Sequence, residues 1–243
     1  MRISSSYAIV LLLTAVLLTS CQPMLQFSYP EVGSAQPKVS SGLQVSPSQE
    51  PPLLEIKGYR TEREKQQLLF AHHSAICTLK KMREQLKNQV LSAPDPIQAW
   101  NEEADLRKWM GQLRETQQQA LIHRLDSQLK EMSHRLTQES LTYDVEHGWA
   151  SHCRFVRTNA FVSRLSKQPE IHFCPDWFQQ GAKEQISTLI HELGHTFGMS
   201  HPLKTDTPKE AFQLAREHPE LALQSPENYE CLAESYICYW RGN

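Results

Sequence analysis

The 243-residue chain has little net charge, −2, and its acidic and basic residues are interspersed. It lacks the basic stripe on which nucleic-acid binding depends. It lacks any internal repeat, which argues against a solenoid. None of its six cysteines has zinc-knuckle spacing. Past the first twenty or so residues it lacks any apolar run of membrane-spanning length. Between Gln22 and Pro52 apolar residues are sparse, and Pro, Ser, Gly and Gln take their place. Such a stretch cannot bury enough surface to fold and reads as a flexible tether. The expected organisation is a signal segment over 1–20, a tether over 21–54 and one domain over 55–243. About 190 residues suffice for a single complete core.

The N-terminus carries Arg2 and an apolar run from Ala8 to Leu18. That run is too short to span a membrane and has the proportions of a signal-peptide core. Leu18-Thr-Ser-Cys21 follows it and resembles a bacterial lipobox. The resemblance implies cleavage before Cys21, lipid attachment to its sulfur and anchoring in the bacterial envelope. With Gln22 rather than Asp after the cysteine, it implies the outer membrane.

Export favours disulfides. Five further cysteines remain, Cys77, Cys153, Cys174, Cys231 and Cys238, so at least one stays unpaired within the chain. Cys153–Cys174 is the preferred pair, since each flanks a candidate strand. Cys231 and Cys238 fall on one expected helix, where seven residues span about 10 Å, too far for a mutual bridge.

Apolar residues at three- and four-residue steps predict helices over Thr61–Leu91, Ile97–Gly111 and Glu115–Gln138. His72, His73, His123 and His134 lie within them without ligand spacing and read as surface or packing residues. Strands are expected at Leu141–Val145, Arg157–Ser163 and Glu170–Cys174. Helices follow over Lys183–Phe197, Lys209–Glu217 and Glu227–Trp240. The fold class is α+β: a helical N-terminal half, a small mixed sheet, a motif helix and a C-terminal helix.

The motif helix holds the most specific signal. His191-Glu-Leu-Gly-His195-Thr-Phe-Gly198-Met-Ser-His201 reads H-E-x-x-H-x-x-G-x-x-H. Residues four apart share a helix face, so His191 and His195 can reach one cation. Glu192 is placed to take a proton from water rather than to bind the metal. Gly198 can turn left-handed, end the helix and bring His201 back as a third ligand. Three protein ligands leave the fourth zinc position open, as catalytic sites require. An apolar stripe of Ile186, Leu189, Ile190, Leu193 and Phe197 explains how such a helix packs, but not the ligand spacing beside it.

With these residues in place, the chain resembles the zincin metalloendopeptidases. The run His191–His201 is similar to the metzincin zinc motif. The order of elements resembles the aspzincins, the deuterolysin and peptidyl-lysine metalloendopeptidase group, through Trp109-Met-Gly111, Cys153, Ile171-His-Phe-Cys174-Pro-Asp-Trp-Phe178, Thr188–Glu192 and Ala233-Glu-Ser-Tyr236. The resemblance implies one catalytic zinc, a protein or peptide substrate, an edge strand that pairs with it (Glu170–Cys174 being the candidate) and a tyrosine assisting the oxyanion (Tyr236, for which core packing is the stronger expectation). Two departures stand out. No methionine follows Met199, so the metzincin methionine turn is missing. The aspzincin aspartate ligand has only Thr205-Asp206 as a counterpart, without its glycine. His201 is therefore the preferred third ligand, with Asp206 and Glu234 as alternatives. A non-catalytic zincin-fold envelope lipoprotein and a zinc hydrolase of cell-wall peptides are the competing functions. Against the first, metal binding alone does not need Glu192. Cys77 as a propeptide switch has only its number in its favour.

Overall fold

Alternation of side chains explains the sheet. A computed structural model describes residues 54–114, 118–146, 153, 159–163 and 169–241. The signal segment, Cys21 and nearly all of the expected tether lie outside the described residues. The first strand, β1 (Leu54–Lys57), was not expected from the sequence. It pairs in parallel with β2 (Leu141–Val145). β3 (Ala160–Val162) and β4 (Glu170–Phe173) complete a sheet of order β1-β2-β4-β3, in which β3 alone is antiparallel to its neighbour. One face carries Ile56, Tyr143, Ile171 and Val162 in register, and this face turns to the helices. The other carries Lys57, Asp144, His172 and Phe161. The ordering corrects one expectation: β4 lies between β2 and β3, so Glu170–Cys174 is not an edge strand, and among the described residues β3 ends the sheet on that side.

The helices begin where their caps dictate. Thr61 and Glu64 form a reciprocal capping box at the start of α1 (Glu62–Gln85), which continues into a π-helical stretch over Leu86–Leu91. The expected helix over 97–111 is two helices, α2 (Pro96–Glu102) and α3 (Ala104–Met110). Glu103 between them is extended (ψ 113°), and its carboxylate accepts from the Leu106 amide, so it stops one helix and caps the next. α4 (Gln119–Gln138) packs on α1. α5 (Ala182–Thr196) is the motif helix and lies against α1, β3 and the last helix. α6 (Pro208–Glu217) and the short α7 (Pro219–Ala222) lead to α8 (Pro226–Ser235). α6, α7 and α8 all start with proline at N1, where a missing amide costs nothing.

The last helix ends at Ser235, short of the expected Trp240, and the chain beyond it doubles back along α1. Cys238 bonds to Cys77, and the Cys238 and Trp240 amides donate to Thr78 Oγ1 and Ser74 Oγ on α1. Cys77 is thus a structural half-cystine and not a switch thiol. Cys231 and Cys238 do not pair, although the helix assumed to separate them stops between the two. Cys153–Cys174 forms as expected, and Cys231 is a buried free thiol. The core runs continuously from α1 and α4 through the inner sheet face to α5 and α8, with Trp100, Trp177, Tyr143, Tyr229 and Phe173 fully buried.

Candidate metal centre

Helix α5 buries Ile186, Leu189, Ile190 and Leu193, and this apolar stripe fixes its rotation. His191 and His195 consequently face the loop that follows. Gly198 sits at φ 78°, in the left-handed region, and closes the helix as expected. The next residues fold back: the Met199 amide donates to Gly194 O and the Ser200 amide to Gln224 O. Gly194 has a separate purpose. A side chain there would press on Met199 Sδ at 3.1 Å and Pro226 Cβ at 3.2 Å, so its absence lets the return loop and the start of α8 close on the motif.

His191, His195 and His201 converge, each able to offer a donor atom with all three within 4.8 Å of one another. The hydrogen bonds show which nitrogen of each ring carries a hydrogen. His195 Nδ1 donates to Met199 O at 3.0 Å, and His201 Nδ1 donates to Thr205 O at 2.8 Å. A carbonyl can only accept, so both Nδ1 atoms carry a hydrogen, and in the neutral rings both Nε2 atoms are acceptors. Those two Nε2 atoms face each other at 3.1 Å. Two acceptors at that distance repel unless a cation lies between them. Three imidazoles converging on one point suit zinc.

Behind His191 stand two carboxylates that the sequence analysis missed. His191 Nδ1 lies 2.8 Å from Glu230 Oε2 and 3.5 Å from Glu227 Oε2. A carboxylate on the far nitrogen of a metal-binding histidine orients the ring and raises its basicity. Burial opposes protonation of His191, but Glu230, Glu192 and Glu227 together outweigh it and raise its pKa. Burial and repulsion from Glu230 push Glu227 up to about 7, against the pull of His191. Glu227 and Glu230 are three apart on α8 and so share a face, a signal legible in Pro226-Glu-Asn-Tyr-Glu230 once that helix is known to abut the motif.

Glu192 is buried, and its Oε2 has no hydrogen-bond partner among the described residues. Burial lifts its pKa to about 7, with His191 opposing and Glu230 reinforcing the shift. A carboxylate so poised is suited to taking and returning a proton near neutrality.

The other expected residues lie elsewhere. The Asp206 side chain is 71% exposed, with Oδ1 3.5 Å from His201 Nδ1 on the side away from the converging nitrogens. Glu234 pairs with Lys183 at 2.8 Å. Neither belongs to a group of converging donors among the described residues. The Tyr236 hydroxyl donates to Glu103 at 3.1 Å and its ring is buried in the core, so packing, not oxyanion binding, is its role. Burial raises its pKa, and the neighbouring Glu103 adds to the effect.

A helix presenting two histidines and a glutamate, a third histidine after a glycine turn and an adjoining mixed sheet define a zinc-dependent peptidase of the zincin class. The family model described as lysine-specific metallo-endopeptidase, the aspzincins, matches residues 98–234, more than half of the chain. The chain belongs to this family and is a zinc metalloendopeptidase. Among solved structures, a zinc peptidase from Grifola frondosa is 17% identical with a TM-score of 0.56, covering 72% of this chain and 96% of that one, a likeness of fold. No curated protein matches.

Proposed function

We propose that this peptidase holds its zinc on His191, His195 and His201, with Glu192 as general base, and cleaves peptide bonds at the bacterial cell envelope. The observation that carries the ligand set is the pair of Nε2 atoms 3.1 Å apart, turned toward each other because both Nδ1 hydrogens are committed to carbonyls. This makes the third ligand a histidine where the family resemblance implies an aspartate. Zinc, when bound, polarises the substrate carbonyl and makes water nucleophilic near neutral pH. Glu192 accepts the proton released as water attacks and returns it to the leaving amine. Its burial keeps the proton from bulk water between the two transfers. Glu230 holds the His191 ring in place. β3, which ends the sheet on that side among the described residues, lies against α5, and an extended substrate would run beside it.

Envelope anchoring through Cys21 rests on the Leu18–Cys21 tetrad and the apolar run before it. Labelled fatty acid should enter the wild-type protein and not Cys21→Ser; labelling of neither would remove the anchor.

The mechanism is tested on purified protein with an unfolded protein as substrate. Glu192→Gln should reduce cleavage by roughly 10²- to 10⁴-fold while zinc content is unchanged. Full activity in that variant would refute the assignment. His201→Ala should deplete zinc far more than Asp206→Ala, and the reverse order would restore the aspartate ligand. N-terminal sequencing of the products reads which side chain flanks the cut.

A further inference from the structure

The outer face of the sheet carries a second group of converging donors that the peptidase chemistry does not use. His172 on β4 lies in register with Asp144 on β2 and Phe161 on β3. Its Nδ1 donates to Glu146 Oε1 at 3.1 Å and lies 3.6 Å from Asp144 Oδ2, so a cation bound here would take the place of the Nδ1 hydrogen. The three donor atoms lie within 4.8 Å of one another. The ring stacks on Phe161, with centroids 4.7 Å apart and planes within 4°, which fixes its rotation. His172 is only 9% exposed, and its other nitrogen, Nε2, is buried with no hydrogen-bond partner among the described residues. That nitrogen points toward a third carboxylate, Glu170 Oε2, at 3.8 Å. Lys57, the cross-strand neighbour of Asp144, directs its ammonium to Glu55 at 3.2 Å rather than into this group. At Gly58 a side chain would come within 2.9 Å of Asp144 Oδ1, so the turn after β1 leaves that carboxylate clear.

Three carboxylates around one imidazole leave a surplus of negative charge even when the imidazole is protonated. The separations between Nδ1 and the two nearer carboxylates also match the edges of a coordination shell with bonds of about 2.1 Å. A ring that ligates through one nitrogen commonly offers its other N–H to a carboxylate, the place Glu170 occupies. We infer that Asp144, Glu146 and His172 form a second divalent-cation site, separate from the catalytic centre, with Glu170 orienting the imidazole. Two carboxylates and one imidazole suit zinc or manganese better than calcium, which takes oxygen ligands alone. A cation here ties β2 to β4 across the sheet and stabilises the folded state in proportion to its occupancy.

The test is equilibrium dialysis of chelator-stripped full-length protein against micromolar Zn²⁺, with bound metal counted by mass spectrometry. Wild type should take up two ions per chain at saturation. His172→Ala and Glu146→Gln should each take up one, and His195→Ala should also keep one. Circular dichroism checks folding, and Glu146→Gln, which alters a partly exposed group, stands in should His172→Ala not fold. One ion in saturated wild type, or a second ion retained by both sheet variants, would overturn the proposal. Because His195→Ala empties the other site, failure of the catalytic assignment would appear separately, as two ions retained in that variant.

Discussion

At the scale of single residues, the centre is defined by which nitrogen of each ring is already in use. His195 and His201 spend Nδ1 on carbonyls, and His191 sets its Nδ1 against Glu230, so Nε2 is the nitrogen each ring would offer a metal. Glu230 is therefore a positioning residue. Glu230→Gln keeps the shape but loses the charge, and should weaken zinc affinity by roughly 10- to 100-fold. A competition titration with a zinc chelator measures this, and unchanged affinity would show that the backbone alone orients the ring. Cys231 stands beside this group with Sγ 3.9 Å from Glu227 Oε1. Burial and the nearby carboxylates raise its pKa, so it behaves as an inert thiol.

At the scale of elements, α5 is held at its C-terminal end by α4. Arg135 on α4 donates to Thr196 O at 2.8 Å and lies 3.9 Å over the Phe197 ring, placing a cation at the helix C-terminus where the macrodipole favours one. α1 is fastened to the sheet through His72, whose Nδ1 is 2.9 Å from the Tyr143 hydroxyl. Burial, with a smaller contribution from His73, lowers the His72 pKa to about 4. The folded chain thus keeps His72 neutral while the unfolded chain protonates it below about 6.5. The associated stability is complete above pH 6.5 and is lost as pH falls toward 4, with a maximum on the order of 3 kcal/mol. Denaturant titrations at pH 7 and pH 4.5 should show a smaller acid loss in His72→Gln than in wild type. Equal losses would place the acid sensitivity elsewhere.

At the scale of the whole molecule, the Cys77–Cys238 bridge closes a loop of sequence separation 161 and returns the C-terminal segment to the first helix. It spans the two elements that flank the core at opposite ends of the chain. Replacing both cysteines with serine should cost about 2–5 kcal/mol, mainly by freeing the unfolded chain. Thermal unfolding under non-reducing conditions checks this, and an unchanged midpoint would mean that the Thr78 and Ser74 contacts alone suffice to hold the segment. Cys153–Cys174 closes a far shorter loop and ties its local segment to the end of β4.

The sequence by itself determined everything that depends on neighbours along the chain. Helical periodicity located α1, α4 and α5, the four-residue spacing put His191 and His195 on one face, and Gly198 announced the turn that returns His201. These are local properties, set by 3.6 residues per turn and by the freedom of glycine at positive φ. Only the tertiary structure decided what depends on distant segments. β1 was hidden because four residues have too little pattern of their own and become a strand by pairing with β2. The position of β3 beyond β4, the turn of Tyr236 toward Glu103 and the carboxylates of α8 behind His191 arise from packing between elements far apart in sequence. The directions of His201, Asp206 and Glu234, the three candidate third ligands, follow the same division: all three are chemically competent, and each side chain is aimed by the carbonyl, the solvent or the lysine it meets in space.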